Sequence, residues 1–328
     1  MTRRWLPVPL VVLAACAALD PGGPAGPWQS GLRWEHSLTG RIWDVEGGGF
    51  IEAPALAERL ARARFILLGE KHDNPDHHLL QAWVVRSLVA AGRRPAVGFE
   101  MFTLDDAPAI GRYLAGLPAD AAGLGEAVGW GRTGWPPWPL YQPIADAALA
   151  GGLPLVATNL PRALVQAAAR RGMAGLDPSL VARLGLDRPL PPETRAEMAA
   201  EIQESHCNGL PEAMLDSMIL AQRARDAQMA ERLAAAGARD GAVLITGNGH
   251  ARKDRGVPAF LALHAPGAPV ISVALLEVLR DKADPAAYVP YFGRPPFPVD
   301  YVWFTPRLDD TDPCEKYRAP LDRLRRRE

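Results

Sequence analysis

The chain has 328 residues, with 36 Lys and Arg against 37 Asp and Glu, so its net charge is −1 with histidine neutral. A charge so close to balance excludes any electrostatic drive toward nucleic acid or an anionic surface as the main partner. The length suits one large α/β domain, or one domain with a subdomain, and the abundance of Ala, Gly and Pro reads partly as coding bias.

From the amino end, Arg3-Arg4 precede an apolar run from Trp5 to Ala15, too short for a stop-transfer helix. The run ends in Leu13-Ala14-Ala15-Cys16, which resembles a bacterial lipobox. Residues 1–15 therefore read as a lipoprotein signal peptide and Cys16 as the lipidated first residue. Ala17 in place of Asp resembles the pattern of lipoproteins sorted to the outer membrane. Residues 16–31, with the run DPGGPAGP, read as a flexible tether, and 32–328 as the folded domain. Two cysteines remain, Cys207 and Cys314; in an oxidising envelope they pair or stay as separate buried thiols, and the spacing does not choose. No C-x-x-C-H occurs, which excludes covalent c-type haem, and no C-x-x-C cluster either.

Residues 32–52 read as an antiparallel edge element turning at Gly47-Gly48-Gly49. The apolar run Arg64 to Leu68 then stops at Gly69-Glu70-Lys71-His72. Asp73-Asn74-Pro75 supplies the cap and first-turn residues of a helix from about 76 to 91. A strand over 95–99 stops at Glu100. A helix near 106–116 and a Trp-rich loop (Trp130, Trp135, Trp138) lead to a helix carrying Tyr141. A strand over 153–157 stops at Thr158-Asn159, with Arg162 just beyond. Residues 211–236 form the clearest helix, with Met214, Leu215, Met218, Ile219 and Met229 near one stripe and Gln222, Arg225 and Asp226 together on another face. The run 242–246 stops at Gly247-Asn248-Gly249-His250, a second Gly-x-x-His. A strand near 269–275 follows, and the Pro-rich tail from about 284 is expected on the outside.

Short apolar runs alternating with helices predict an α/β fold: a parallel-sheet, three-layer core, with a helical cap insertion over about 163–236. Ligands bind beyond the carboxyl ends of such strands, so Glu70, His72, Glu100, Asn159 and His250 share one crevice. Two carboxylates and two imidazoles there suit a divalent metal, metal-free acid–base chemistry, or a hydrogen-bonding framework. Arg162 beside Asn159 suits a carboxylate or propionate. Of the adjacent pair His77-His78, one is expected to face the crevice and one the solvent. The tryptophans suit a flat apolar cofactor, or a cover for the sheet edge. Gln222, Arg225 and Asp226 are either a solvated face or polar groups lowered onto the site.

These residues resemble the ChaN-like haem-binding uptake lipoproteins of the Tiki superfamily. The matching pieces run in order: LLGEKHDNPDHH (67–78), GFEMF (98–102), WPLYQPI (138–144), VATNLPR (156–162), His206-Cys207, AQRARDAQMA (221–230), ITGNGHARKDRGVP (245–258) and DYVWFT (300–305). The resemblance implies an envelope lipoprotein that binds haem for haem or iron uptake, anchored through Cys16 in the outer membrane facing the periplasm, with an outer-membrane uptake receptor as partner. It also implies a homodimer when haem is bound, a Tyr of one subunit on the iron and a His and a Lys of the other on the propionates. Tyr141 is the candidate iron ligand, with Tyr113 and Tyr288 open; Lys71 or Lys253, with His72 or His77, are candidates for the propionates. The superfamily also holds hydrolases with Glu and His in the Gly-x-x-His pattern. The alternative reading is thus a metal-dependent protease or esterase in which Glu70, His72, Glu100 and His250 hold the metal and act on water.

Overall fold

The computed structural model describes residues 24, 26–116, 120–312, 314 and 315. The expected signal peptide, Cys16 and most of the expected tether lie outside the described residues. Eight strands form one sheet: β1 (Ile42–Asp44), β2 (Gly49–Ile51), β3 (Phe65–Glu70), β4 (Ala96–Thr103), β5 (Leu155–Asn159), β6 (Ala242–Gly247), β7 (Val270–Glu277) and β8 (Tyr301–Thr305), in the order β2-β1-β8-β7-β3-β6-β4-β5. The six strands from β8 to β5 are parallel, and the β1–β2 hairpin closes one edge antiparallel. All six residues of β3 and of β6 are buried, because helices cover both faces and leave no side for water to select polar residues.

One face carries Leu56, Leu60, Leu80, Val84, Leu88 and Ile144 from the helices Ala53–Arg62, Pro75–Ala90 and Trp138–Ala150. The other carries Ala168, Leu184 and the long helix Leu215–Ala236. Asn74 caps Pro75–Ala90 by accepting from the backbone N–H of Asp76 and His77, with Pro75 in the first turn, as its sequence predicts. The long helix keeps part of the stripe expected of it, Leu215, Ile219 and Met229 being buried and Met218 half-buried. Met214 is exposed, and the contact surface is built from Ala221, Ala224, Ala227 and Ala230 with Leu233. Small side chains let this helix lie close against the sheet, which brings its polar groups within reach of the strand ends.

The tail corrects a second expectation. Tyr301–Thr305 is not outside; it is a buried strand between β7 and β1. Its residues alternate, Tyr301 and Trp303 toward one core cluster, Val302 and Phe304 toward another built with Tyr288, Phe292, Phe297 and Val299. Residues 285–299 thus cover this end of the sheet where a helix would otherwise stand. Among the described residues no helix is long and apolar enough to cross a membrane.

Candidate functional site

The strand ends meet as their sequence spacing predicts. Glu70 ends β3 and Glu100 lies in β4, both wholly buried. The pairing of β4 with β5 shifts register between Phe99 and Thr103; such an irregularity re-aims side chains, and here it falls at Glu100. Asn159 Nδ2 donates to the Glu100 backbone carbonyl at 2.8 Å, so Asn159 braces this stretch of strand while lining the cleft beside it. The two motif glycines do not serve tight turns. Gly247 has φ of −65°, open to any residue. A Cβ on Gly247 would lie 2.9 Å from His72 Nε2, and one on Gly69 would lie 2.5 Å from Asn248 Oδ1. Each glycine clears space for the other motif, where β3 and β6 run side by side with Glu70 opposite Gly247.

His72 Nδ1 lies 2.8 Å from Glu70 Oε1, its Nε2 lies 3.9 Å from Glu100 Oε1, and its side chain is 31 % exposed. Glu100 Oε2 accepts from Thr246 Oγ1 and the Gly247 N–H, each at 2.7 Å. Its Oε1 accepts from the Arg225 guanidinium and stands 3.4 Å from His250 Nε2. His250 Nδ1 is bound 2.5 Å from Asp226 Oδ1, and Gln222 reaches the same ring at 3.3 Å. The long helix therefore does lower Gln222, Arg225 and Asp226 onto the site.

Burial alone raises a carboxyl pKa, yet His78 and His72 hold Glu70 down at about 2, and His250, Arg225 and His72 hold Glu100 well below the usual range. Burial opposes charge on His250, but Glu100 and Asp226 on either side raise it to about 9. His72 is raised too, burial being outweighed by Glu100 and Glu70. Burial raises Asp226. The sign for stability follows. A His raised above its unfolded value of 6.5 stabilises fully below pH 6.5, and that contribution is lost as pH climbs through 9. Unfolding free energy should fall by up to about 3 kcal/mol over this window, with a shallower slope in His250→Gln. Denaturant midpoints unchanged between pH 6.5 and 9.5 would refute the charged state of His250.

A divalent metal on Glu70, His72, Glu100 and His250 is not shown. Among the described residues no group of three His, Cys, Asp or Glu is disposed to hold a metal. Their lone pairs face one another and the Arg225 guanidinium, which supplies the positive charge a cation would bring.

His77 and His78 are both fully buried. His77 Nδ1 accepts from the Lys71 N–H at 2.9 Å and its Nε2–H meets Thr305 Oγ1 at 2.8 Å. That is a neutral ring pinned between two strands, and burial with nearby His78 keeps its pKa well down; it cannot meet a propionate. His78 Nε2–H donates to the His72 carbonyl at 3.0 Å. Neither ring faces solvent, because the helix they open is covered by β8 and by Tyr141. Lys253 is also misplaced for the site: its Nζ is drawn 2.5 Å from Asp300 Oδ1, at the amino end of β8. Lys71 stays near the rim, paired with Asp73 at 2.7 Å and Glu277 at 3.3 Å.

Tyr141 is 0 % exposed. Its hydroxyl donates to Glu70 Oε1 at 3.2 Å, and its ring packs on His78 and Trp130. It supports the site from beneath and presents no oxygen to an incoming iron. Tyr288 is buried, its hydroxyl donating to the Lys282 carbonyl at 2.9 Å, and Tyr113 donates to Asp120 at 3.0 Å. Tyr291, in the tail beyond residue 284, is 62 % exposed as a residue, while burial around its hydroxyl raises its pKa. Its neighbours in the Pro-rich tail disguised it as outer packing. Trp130 and Trp138 are core residues; Trp135 alone of the three reaches the rim, its ring 4.8 Å from that of His72.

A cleft of about 520 Å³ opens beside this network, lined by Glu100, Arg132, Trp135, Asn159, Arg162 and Arg225 among others. Arg162 is exposed there and donates to the Thr133 carbonyl at 2.6 Å. A second cleft of about 330 Å³, lined by Met198, Ile202, Gln222, Arg225 and Arg255, lies under the helix Pro192–Ser205 and meets the first at Arg225. Cys207 and Cys314 are joined in a disulfide.

Residues 56–261 match the family model described as haem-binding uptake, Tiki superfamily, ChaN. Among solved structures, the chain resembles ChaN of Campylobacter jejuni, whose structure is described as cofacial haem binding, with a TM-score of 0.59 at 21 % identity, covering 80 % of this chain and 95 % of that one. The type III effector HopBA1 follows at a TM-score of 0.40 and 14 % identity, covering 76 % of this chain and 91 % of that one. An erythromycin esterase mutant in its open conformation gives 0.40 and 14 %, covering 72 % and 77 %. No curated protein matches the chain.

Proposed function

Because the chain belongs to the ChaN family of haem-binding uptake proteins in the Tiki superfamily, we propose that it binds haem at the crevice and serves haem or iron uptake as a lipid-anchored protein of the cell envelope. The observation that carries the reading is the cleft beside the strand ends, where a rim of Arg132, Arg162 and Trp135 overlooks a buried polar floor. Guanidinium forks suit the two propionates of a porphyrin, and an indole suits its face. Arg162, Arg132 and the exposed edge of His72 would hold the carboxylates. Haem supplies an iron that a phenolate can ligate, and Tyr291 is the one tyrosine among the described residues whose ring is largely exposed. A homodimer in the haem-bound state suits a ring that stands out from one copy toward another.

The envelope address rests on two features. The first is the Arg3-Arg4, apolar run and Cys16 arrangement, with its tether. The second is the disulfide, which persists in oxidising compartments. The membrane is then reached through a lipid on Cys16, on the periplasmic side of the outer membrane, where an uptake receptor would hand haem over.

Titration of the purified protein with haemin should give a saturable Soret band and, in sedimentation, a dimer. Tyr291→Phe should weaken binding about tenfold or more, which is 1.4 kcal/mol, while Tyr141→Phe should keep the band. Absence of a saturable Soret change would end the reading, and a Tyr291→Phe spectrum identical to wild type would remove Tyr291 from it.

A further inference from the structure

Another cleft, in the helical cap, shares no lining residue with the two at the crevice. Its volume is about 550 Å³, and it lies where the end of the helix Arg162–Arg171 meets the starts of Pro192–Ser205 and Leu215–Ala236. On the long helix its wall is Asp216, Ile219, Leu220 and Arg223, an i, i+3, i+4, i+7 stripe. That stripe is offset from the one that carries Gln222, Arg225 and Asp226 to the crevice. Among the described residues four arginines line the cleft, Arg170, Arg171, Arg195 and Arg223, against one acidic residue, Asp216. In a chain of net charge −1 this is a local surplus of positive charge. The dipole of a helix C-terminus accounts for cations at Arg170 and Arg171, but Arg195 and Arg223 come from other helices.

These guanidiniums are largely unpaired. Arg171 has no side-chain partner among the described residues. Arg170 gives one N–H to Gln166 Oε1 at 3.1 Å. Arg195 bonds Asp216 Oδ1 through Nε at 2.7 Å, and its two η nitrogens have no protein acceptor among the described residues. Arg223 is fixed in place, its η nitrogens donating to the carbonyls of Leu186 at 3.3 Å and Arg188 at 2.7 Å. Its Nε–H is buried and has no acceptor. A buried N–H left in that state carries a desolvation cost that a ligand oxygen would relieve. Burial also outweighs Asp226 and Asp187 and lowers the Arg223 pKa, so the folded chain leaves this cation short of negative charge. The rest of the lining is apolar: Ile219 and Leu220 are buried, Leu190 is half-buried, and Met173 is 43 % exposed.

We propose that this cleft binds an amphiphile with a phosphate monoester head. Guanidinium forks match phosphate oxygens in pairs, and several converging forks suit a dianion better than a single carboxylate. The apolar wall takes the tail: Met173, Leu190, Ile219 and Leu220 offer it a surface that a bare phosphate would leave to water. Two sources carry this chemistry, the head of an acidic lipid and a soluble alkyl phosphate. The cleft does not depend on haem, so either reading can fail without the other.

Calorimetric titration of the full-length protein compares dihexanoyl phosphatidic acid, hexyl phosphate, inorganic phosphate and hexanol. The two amphiphilic phosphates should bind about tenfold or more tighter than inorganic phosphate, because only they bury a tail, and hexanol should give no saturable heat. Tighter binding of the dihexanoyl lipid assigns the head to a lipid; equal or tighter binding of hexyl phosphate assigns it to a soluble ester. Arg171→Gln and Arg195→Gln, both at exposed positions, should each weaken the two esters about tenfold. Their melting temperatures and their haemin titrations should stay at the wild-type values. Met173→Gln should weaken hexyl phosphate several-fold and leave inorganic phosphate unchanged. The proposal is overturned if neither ester binds, if inorganic phosphate binds as tightly as the esters, or if the Arg171→Gln/Arg195→Gln double variant keeps the wild-type affinity. Displacement of hexyl phosphate by equimolar haemin also overturns it, since the cleft would then belong to the haem site.

Discussion

Glu100→Gln should lower the unfolding free energy by about 3–5 kcal/mol, the range for breaking a buried ion pair from one side. The carboxylate is wholly buried and accepts from the Thr246 hydroxyl, the Gly247 N–H and the Arg225 guanidinium, with the His250 ring beyond. Glutamine keeps the shape and removes the charge. Arg225 cannot shed its proton, and it is left facing a neutral amide in a site of low dielectric. His250 can shed its proton, so the alkaline loss of stability should shrink in the same variant. Calorimetry should register a fall in melting temperature of roughly 10 °C for such a change in a domain of this size. Adding Arg225→Met should recover part of the loss, since the cost lies in the orphaned cation and not in the missing carboxylate. A loss below about 1 kcal/mol would mean that the pair is hydrated and that the site is not the dry network described.

Reduction of the disulfide should have the next largest effect. Cys207 lies just past the helix Pro192–Ser205 and Cys314 past β8, 107 residues apart in sequence with 5.6 Å between their Cα atoms. A link over so long a loop restricts the unfolded chain, and losing it typically costs about 2–4 kcal/mol. There is a local consequence as well. Cys207 and Asn208 both sit at positive φ, 57° and 54°, a region that residues other than glycine enter only when held. Gln203 helps hold the turn, its carbonyl accepting from Asn208 N–H at 2.7 Å and its side chain donating to the Leu210 carbonyl at 2.8 Å. With the disulfide gone, the turn should relax first and loosen the helix over the second cleft. Scanning calorimetry with and without reductant, and with Cys207→Ser/Cys314→Ser, measures the first effect. Faster amide exchange over 192–210 measures the second. Titratable free thiols in the unreduced protein, or a melting temperature indifferent to reductant, would contradict both.

The strands at the centre were legible because a strand buried on both faces has to be apolar throughout, and each such run stops at the polar residue it delivers. Glu70, His72, Glu100 and His250 could be assigned to one crevice on that ground alone, and the i, i+3, i+4 spacing of Gln222, Arg225 and Asp226 is a property of any helix. Asn74-Pro75 announced its own helix start for an equally local reason. What chain order leaves open is which distant atoms face each other. Whether His77 meets solvent or Thr305, whether Tyr141 meets an iron or Glu70, and whether Lys253 meets a propionate or Asp300 all depend on partners far away in the chain. β8 shows the same thing at the level of an element: a five-residue run after a Pro-rich stretch becomes a central strand only because β1, at the other end of the chain, pairs with it. Local covalent geometry and water exclusion act over a few residues and can be read in order. Pairing of buried charges and closing of a sheet act between segments brought together by folding, and the tertiary structure alone decides them.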